Sequence, residues 1–247
     1  MDLHQIATRD GLCRSYVGRP AGGGPWPAVL VYMDGLGIRP AMLEIGERLC
    51  SYGYYVLLPD LYYRVGPYAP MDAHAVFTDP EQRRILTGQF FATTTSARVM
   101  SDTRAYLDFL AAEPAVRPGG IGTTGYCMGG RMSLTAAGTY PQSIIAAASY
   151  HGGGLATDDP DSPHRLADRI RARVYVGGAS DDPTFRDMKQ RLAAALTRAG
   201  VDQRIETYPA RHGWVPQDTP VHDPAATERH WQTLIGLLDA KLKRAAA

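Results

Sequence analysis

Short apolar runs alternate along this chain with stretches of helical periodicity. Runs rich in Val, Ile, Leu, Ala and Tyr at 28–33, 54–58, 120–126, 144–150, 173–178 and 203–208 have the length of strands. Most are apolar throughout rather than alternating, as strands covered on both faces are. Between them lie segments whose apolar residues recur at helical spacing: 42–51, 96–112, 128–139, 184–199 and 225–244. The segment from Thr184 stops at Gly200, a residue that ends helices readily. This alternation predicts an α/β fold with a mostly parallel central sheet and helices on both faces.

Two stretches break the rhythm. Residues 62–95 are irregular and contain Pro67, Pro70 and Pro80. An irregular stretch of that length inside a compact fold is often functional. Residues 151–163 form a loop rich in Gly and Asp. Neither internal repeats nor low-complexity linkers are visible, so one domain is expected over 1–247.

Charge narrows the possible partners. The chain has 26 basic and 25 acidic residues and a net charge of +1. Such a balance sets up no field that would gather nucleic acid or anionic lipid. No run reaches the roughly 18 apolar residues of a membrane span, and no basic segment followed by an apolar run opens the chain. Cys13, Cys50 and Cys127 are odd in number and fit neither a disulfide framework nor a zinc site. The seven His lack H-E-x-x-H or similar ligand spacing. The expectation is a cytoplasmic protein that acts on a small molecule without a metal or other cofactor.

The strongest local signal is Gly125-Tyr126-Cys127-Met128-Gly129-Gly130, between a predicted strand and a predicted helix. It is the nucleophile-elbow pattern G-x-S-x-G with Cys in place of Ser. A sharp strand-to-helix turn leaves no room for side chains at the flanking positions, hence the glycines. The helix start favours a thiolate and a developing oxyanion, with the Met128 N–H as a natural donor. Free Cys is commonly a buried structural residue, which is the reading for Cys13 and Cys50. Gly120-Ile121-Gly122-Thr123-Thr124-Gly125 also matches the dinucleotide pattern G-x-G-x-x-G. It follows a poor strand and lacks a downstream acid before Gln142, so that reading is rejected.

A nucleophile on this fold needs an acid and then a His further along. Ala179-Ser180-Asp181-Asp182-Pro183 closes the predicted strand 173–178, and His212 follows the strand at 203–208. His212 would take the thiol proton and later activate water, and Asp182 would orient the imidazole. Asp181 is the reserve, since one of the two can instead cap the following helix.

These residues resemble the dienelactone hydrolase family. The likeness covers most of the chain. It is carried by Val31-Tyr32-Met33-Asp34-Gly35-Leu36-Gly37, Pro59-Asp60-Leu61-Tyr62, the Cys127 elbow, Asp181-Asp182 and His212-Gly213. It implies an α/β-hydrolase fold without a large lid and a Cys127-Asp182-His212 triad that opens lactones and esters. It also implies that Asp34 influences the thiol, although the best-known members carry the longer Glu there. Asp34 can equally be a turn residue before Gly35. The Gly35 N–H would be the second oxyanion donor.

Substrate contacts are less defined. Family members that act on dienelactone hold its carboxylate with arginines, one of them shortly after the catalytic His. Here His212-Gly213-Trp214-Val215-Pro216-Gln217 has no Arg. Arg83 or Arg84 could supply a cation, or belong to a solvated helix face. Tyr62, Tyr63, Arg64 and His151 follow strand ends and could reach the pocket. Trp214 could form an apolar wall or simply pack its loop. Beside hydrolysis stand two alternatives: acyl transfer or thioester cleavage on the same triad, and a non-catalytic binding protein that keeps the hydrolase shell.

Overall fold

The computed structural model describes residues 1–243. One eight-stranded sheet runs through them in the order β1-β2-β4-β3-β5-β6-β7-β8. Six strands are mutually parallel: β3 (Ala28–Tyr32), β4 (Tyr55–Pro59), β5 (Ile121–Tyr126), β6 (Ile144–Tyr150), β7 (Arg173–Ala179) and β8 (Gln203–Tyr208). All lie within two residues of the predicted runs. Every residue of β3, β4 and β5 is buried, which is why their sequences do not alternate.

The helices are α1 (Pro40–Ser51), α2 (Ala73–Thr78), α3 (Pro80–Ile85), α4 (Ser96–Ala112), α5 (Met128–Thr139), α6 (Phe185–Arg198) and α7 (Pro224–Leu238). The chain leaves α7 through a π-helical turn, Asp239–Lys243; Arg244, the end of the last predicted helix, lies outside the described residues. Among the described residues no helix is long and apolar enough to cross a membrane.

Two parts of the chain were not read from the pattern. The first is the antiparallel hairpin of β1 (Asp2–Thr8) and β2 (Gly11–Gly18), which joins the sheet beside β4. Only Ile6 of β1 is buried, so this edge strand carries almost no hydrophobic signal. The second is the 62–95 stretch, which contains α2, α3 and a π-helical turn, Leu86–Phe90. These helices are six residues each, too short for periodicity to stand out; Asp72 and Asp79 cap them.

The strand order positions the site. From β3 the chain steps to β4 on one side, then returns across β3 to β5 on the other. The loops leaving the C-terminal ends of β3 and β5 therefore diverge, and a crevice opens between them.

Candidate active site

Cys127 sits at that crevice, heading α5 with φ 52° and ψ −115°. A left-handed backbone at a non-Gly residue costs about 1–3 kcal/mol and persists only where the surroundings over-determine it. Here they do. The Cys127 N–H donates to the Tyr150 carbonyl at 3.0 Å and to His151 Nδ1 at 3.1 Å, and the Cys127 carbonyl accepts from the Gly130 N–H at 3.1 Å. A Cβ on Gly125 would stand 2.0 Å from the Gly129 carbonyl oxygen, and one on Gly129 would stand 2.2 Å from that of Tyr32. Helix and strand thus approach at backbone distance, and the flanking glycines are a steric requirement.

The loop after β3 forms the facing wall. The Tyr62 hydroxyl donates to the Gly35 carbonyl at 2.8 Å and so fixes the plane of that peptide. Phe91 lies over Gly35, where a Cβ would stand 2.9 Å from its ring. The Met128 N–H begins α5, where no intrahelical acceptor exists. The Gly35 N–H likewise has no protein acceptor among the described residues. Both donors are free for an incoming oxygen.

Asp34 does not stand alone beside the thiol. Arg39 grips both its oxygens, at 2.7 and 2.9 Å, and the Leu36 N–H reaches Oδ1 at 3.0 Å. The same guanidinium holds Asp218 at 2.6 and 3.1 Å and the Gly37 carbonyl at 3.2 Å. All five of its N–H donors are used. Burial opposes the charge on Arg39, but the two carboxylates more than reverse that and raise its pKa above the ordinary value. Arg39 and Asp218 were not read from the sequence. An acid–base pair 179 positions apart leaves no local pattern, and Arg39 follows Asp34 at no helical or strand period.

His212 leaves the end of β8, and its N–H donates to Asp181 Oδ1 at 2.8 Å. Burial opposes protonation of its ring; Cys127, then Asp182 and Asp181, outweigh burial and raise the imidazole to about 9. Asp182 Oδ1 accepts from the Thr184 N–H at 2.9 Å and hydroxyl at 2.8 Å, and so turns the chain into α6. Neither carboxylate is hydrogen-bonded to the imidazole; both act on it through space.

Cys127, His212, His151, Asp34, Gly35 and Arg83 border one cavity of about 340 Å³. Its remaining wall is mostly apolar, with Val76, Phe77, Leu86 and Phe91 from the 73–93 stretch. Arg83 stands exposed on the rim, whereas Arg84 pairs with Glu81 at 2.7 Å. Four expected contacts are corrected. Arg64 is turned away to Asp10 and Asp102, at 2.8 and 2.7 Å, and the Tyr63 hydroxyl bonds Thr8 and Asp102. Both tie the β1–β2 hairpin to α4, because the buried Asp102 carboxylate needs a cation and a donor. Trp214 is fully buried, stacked on Tyr208 at 4.9 Å, and packs its loop instead of walling the cavity. Tyr62 supports Gly35 from behind rather than lining the cavity.

The family model for the dienelactone hydrolase family matches residues 13–242. The chain belongs to that family. It is 28% identical over 209 residues to a carboxymethylenebutenolidase from Pseudomonas sp., covering 83% of this chain and 80% of the relative. A crystal structure of a dienelactone hydrolase-like promiscuous phosphotriesterase from metagenomic libraries superposes with TM-score 0.77 at 23% identity, over 97% of this chain and 98% of that one. The dienelactone hydrolase from Anabaena variabilis does so with TM-score 0.71 at 18% identity, over 98% and 97%. These two likenesses establish the α/β-hydrolase fold, and the family match makes the protein a dienelactone hydrolase-like hydrolase.

Proposed function

We propose that the protein opens a small carboxylic ester or enol-lactone through a thioester on Cys127. The observation that carries this reading is the Cys127 thiol, held on a left-handed elbow beside a His212 raised to about 9, in a cavity with two unused backbone donors. His212 takes the thiol proton, and Sγ adds to the carbonyl carbon. The carbonyl oxygen becomes an oxyanion and moves onto the Met128 and Gly35 N–H groups. The C–O bond then breaks as His212 gives its proton to the departing alkoxide or enolate oxygen, and the acyl group stays on sulfur. The neutral His212 next takes a proton from water, whose oxygen adds to the thioester carbonyl; the C–S bond breaks, Cys127 leaves as the thiolate and the acid is freed. Asp182 stabilises the imidazolium through space, with Asp181 holding the His212 backbone.

The apolar wall suits a small acyl or lactone ring, and Arg83 at the rim suits an anionic substituent. The name of the Pseudomonas relative supports the lactone reading. Hydrolysis of p-nitrophenyl acetate and of a small enol-lactone is the test, wild type beside Cys127→Ala. Turnover of either substrate that disappears in the variant is expected. Turnover that survives in Cys127→Ala rules the thiol mechanism out.

A further inference from the structure

His151 is an unusual residue to follow a buried strand. Its φ is 40°, and with Cys127 it is one of two non-Gly residues with positive φ among the described residues. Its N–H donates to the Gly177 carbonyl at 2.7 Å, so the β6–β7 ladder continues while the side chain is turned beneath the elbow. There Nδ1 accepts the Cys127 N–H at 3.1 Å. His151 as a whole is 2% exposed. It meets Trp214 edge-on at 4.8 Å, His212 edge-on at 5.3 Å and Tyr126 at 6.0 Å.

We propose that His151 is a positioning residue for the thiol, an imidazole whose Nδ1 lone pair holds the Cys127 amide and whose ring backs His212. The proposal rests on Cys127 being the nucleophile. Because Nδ1 accepts, the ring proton sits on Nε2, which has no partner among the described residues. The neutral form suits the acceptor role and the burial of the ring. The elbow presents an N–H that needs an acceptor, and β5 presents Tyr126. The loop after β8 presents His212 and Trp214, and α7 adds His230 nearby. Burial first, then the charge of His212, drives protonation of His151 well below the usual range. The two neighbouring imidazoles therefore divide their work. His212 carries the proton, and His151 stays uncharged and fixes where the sulfur stands. Without the His151 acceptor, the strained Cys127 backbone loses one of the bonds that over-determine it, and the thiol is free to drift from His212.

Two substitutions separate the hydrogen bond from simple filling of space. His151→Phe keeps a ring but offers no acceptor. His151→Asn offers an amide oxygen and tolerates a left-handed backbone. The readout is alkylation of Cys127 by iodoacetamide across pH, resolved by site with mass spectrometry, on the full chain. Cys50 serves as the internal reference. Phe should slow Cys127 alkylation at neutral pH about tenfold and move its midpoint upward, and kcat on p-nitrophenyl acetate should fall with it at little change in KM. Asn should recover most of both. If Phe fails to fold, His151→Ala supplies the same comparison. Wild-type alkylation in Phe or Ala overturns the proposal. So does an Asn variant as impaired as Phe, which would mean that only packing matters. Alkylation needs no turnover, so activity persisting in Cys127→Ala would refute the thiol mechanism while this measurement still judged the His151 contact.

Discussion

The charge on His212 depends on its neighbour Cys127. Burial alone would discharge the imidazole, and Cys127 is the strongest influence against that. Cys127→Ala should therefore bring the His212 pKa down from about 9 toward or below 6.5, followed by the NMR titration of its ring protons. A value that stays near 9 would assign the charge to Asp181 and Asp182 instead. Since the folded value exceeds the unfolded one, the pair stabilises the fold fully below about 6.5 and loses that contribution as pH rises through about 9. The two acids should separate by mutation. Asp181→Asn keeps an oxygen for the His212 N–H, whereas Asp182→Asn removes the stronger charge, so kcat should drop at least about tenfold further in the latter. Equal kcat values would leave the acid unassigned. Cys127 was legible because sterics demand glycines around an elbow, and His212 because of chain order. The acid was not fully legible, because two adjacent carboxylates in one turn offer the same chemistry until the backbone shows Asp181 holding the His212 N–H and Asp182 holding Thr184 ahead of α6.

Arg39 links two loops that otherwise share no element. One follows β3 and carries Gly35; the other follows β8 and carries His212. Replacing it with Met would leave the buried Asp34 carboxylate without a cation and release Asp218. Arg39→Met should cost about 3 kcal/mol in urea unfolding, while Asp218→Asn should cost less, because Asp218 is 38% exposed and water screens it. A loss below about 1 kcal/mol for Arg39→Met would mean that water replaces the guanidinium easily. At this scale the long buried strands and amphipathic helices were readable from pattern. The β1–β2 hairpin and the two six-residue helices were not, because a polar edge strand and a helix of under two turns have too few apolar positions to carry a period.

Across the whole molecule, acid is the expected weakness. His230 is fully buried, and its Nε2 lies 3.0 Å from the Tyr126 hydroxyl; burial first, then Arg48, lower its pKa to about 3. His151 is shifted the same way. The unfolded chain binds protons on both that the folded chain refuses, so stability should fall as pH drops from about 6.5 toward about 3. Melting temperature measured against pH checks this, and His230→Gln should flatten the decline. A flat wild-type profile over that range would mean that the buried imidazoles accept protons without cost. Fold class was visible along the chain, and so were Cys127, Asp182 and His212 as candidate site residues in that order; the contacts that join distant loops were not, since they arise only on closure of the sheet. One further consequence lies in where the cavity wall comes from. The proposed reacting groups are borne by the ends of β3, β5, β7 and β8, whereas much of the apolar lining is supplied by one short run between β4 and α4. Exchanging that run as a single cassette would change which molecules fit while leaving the proposed chemistry in place.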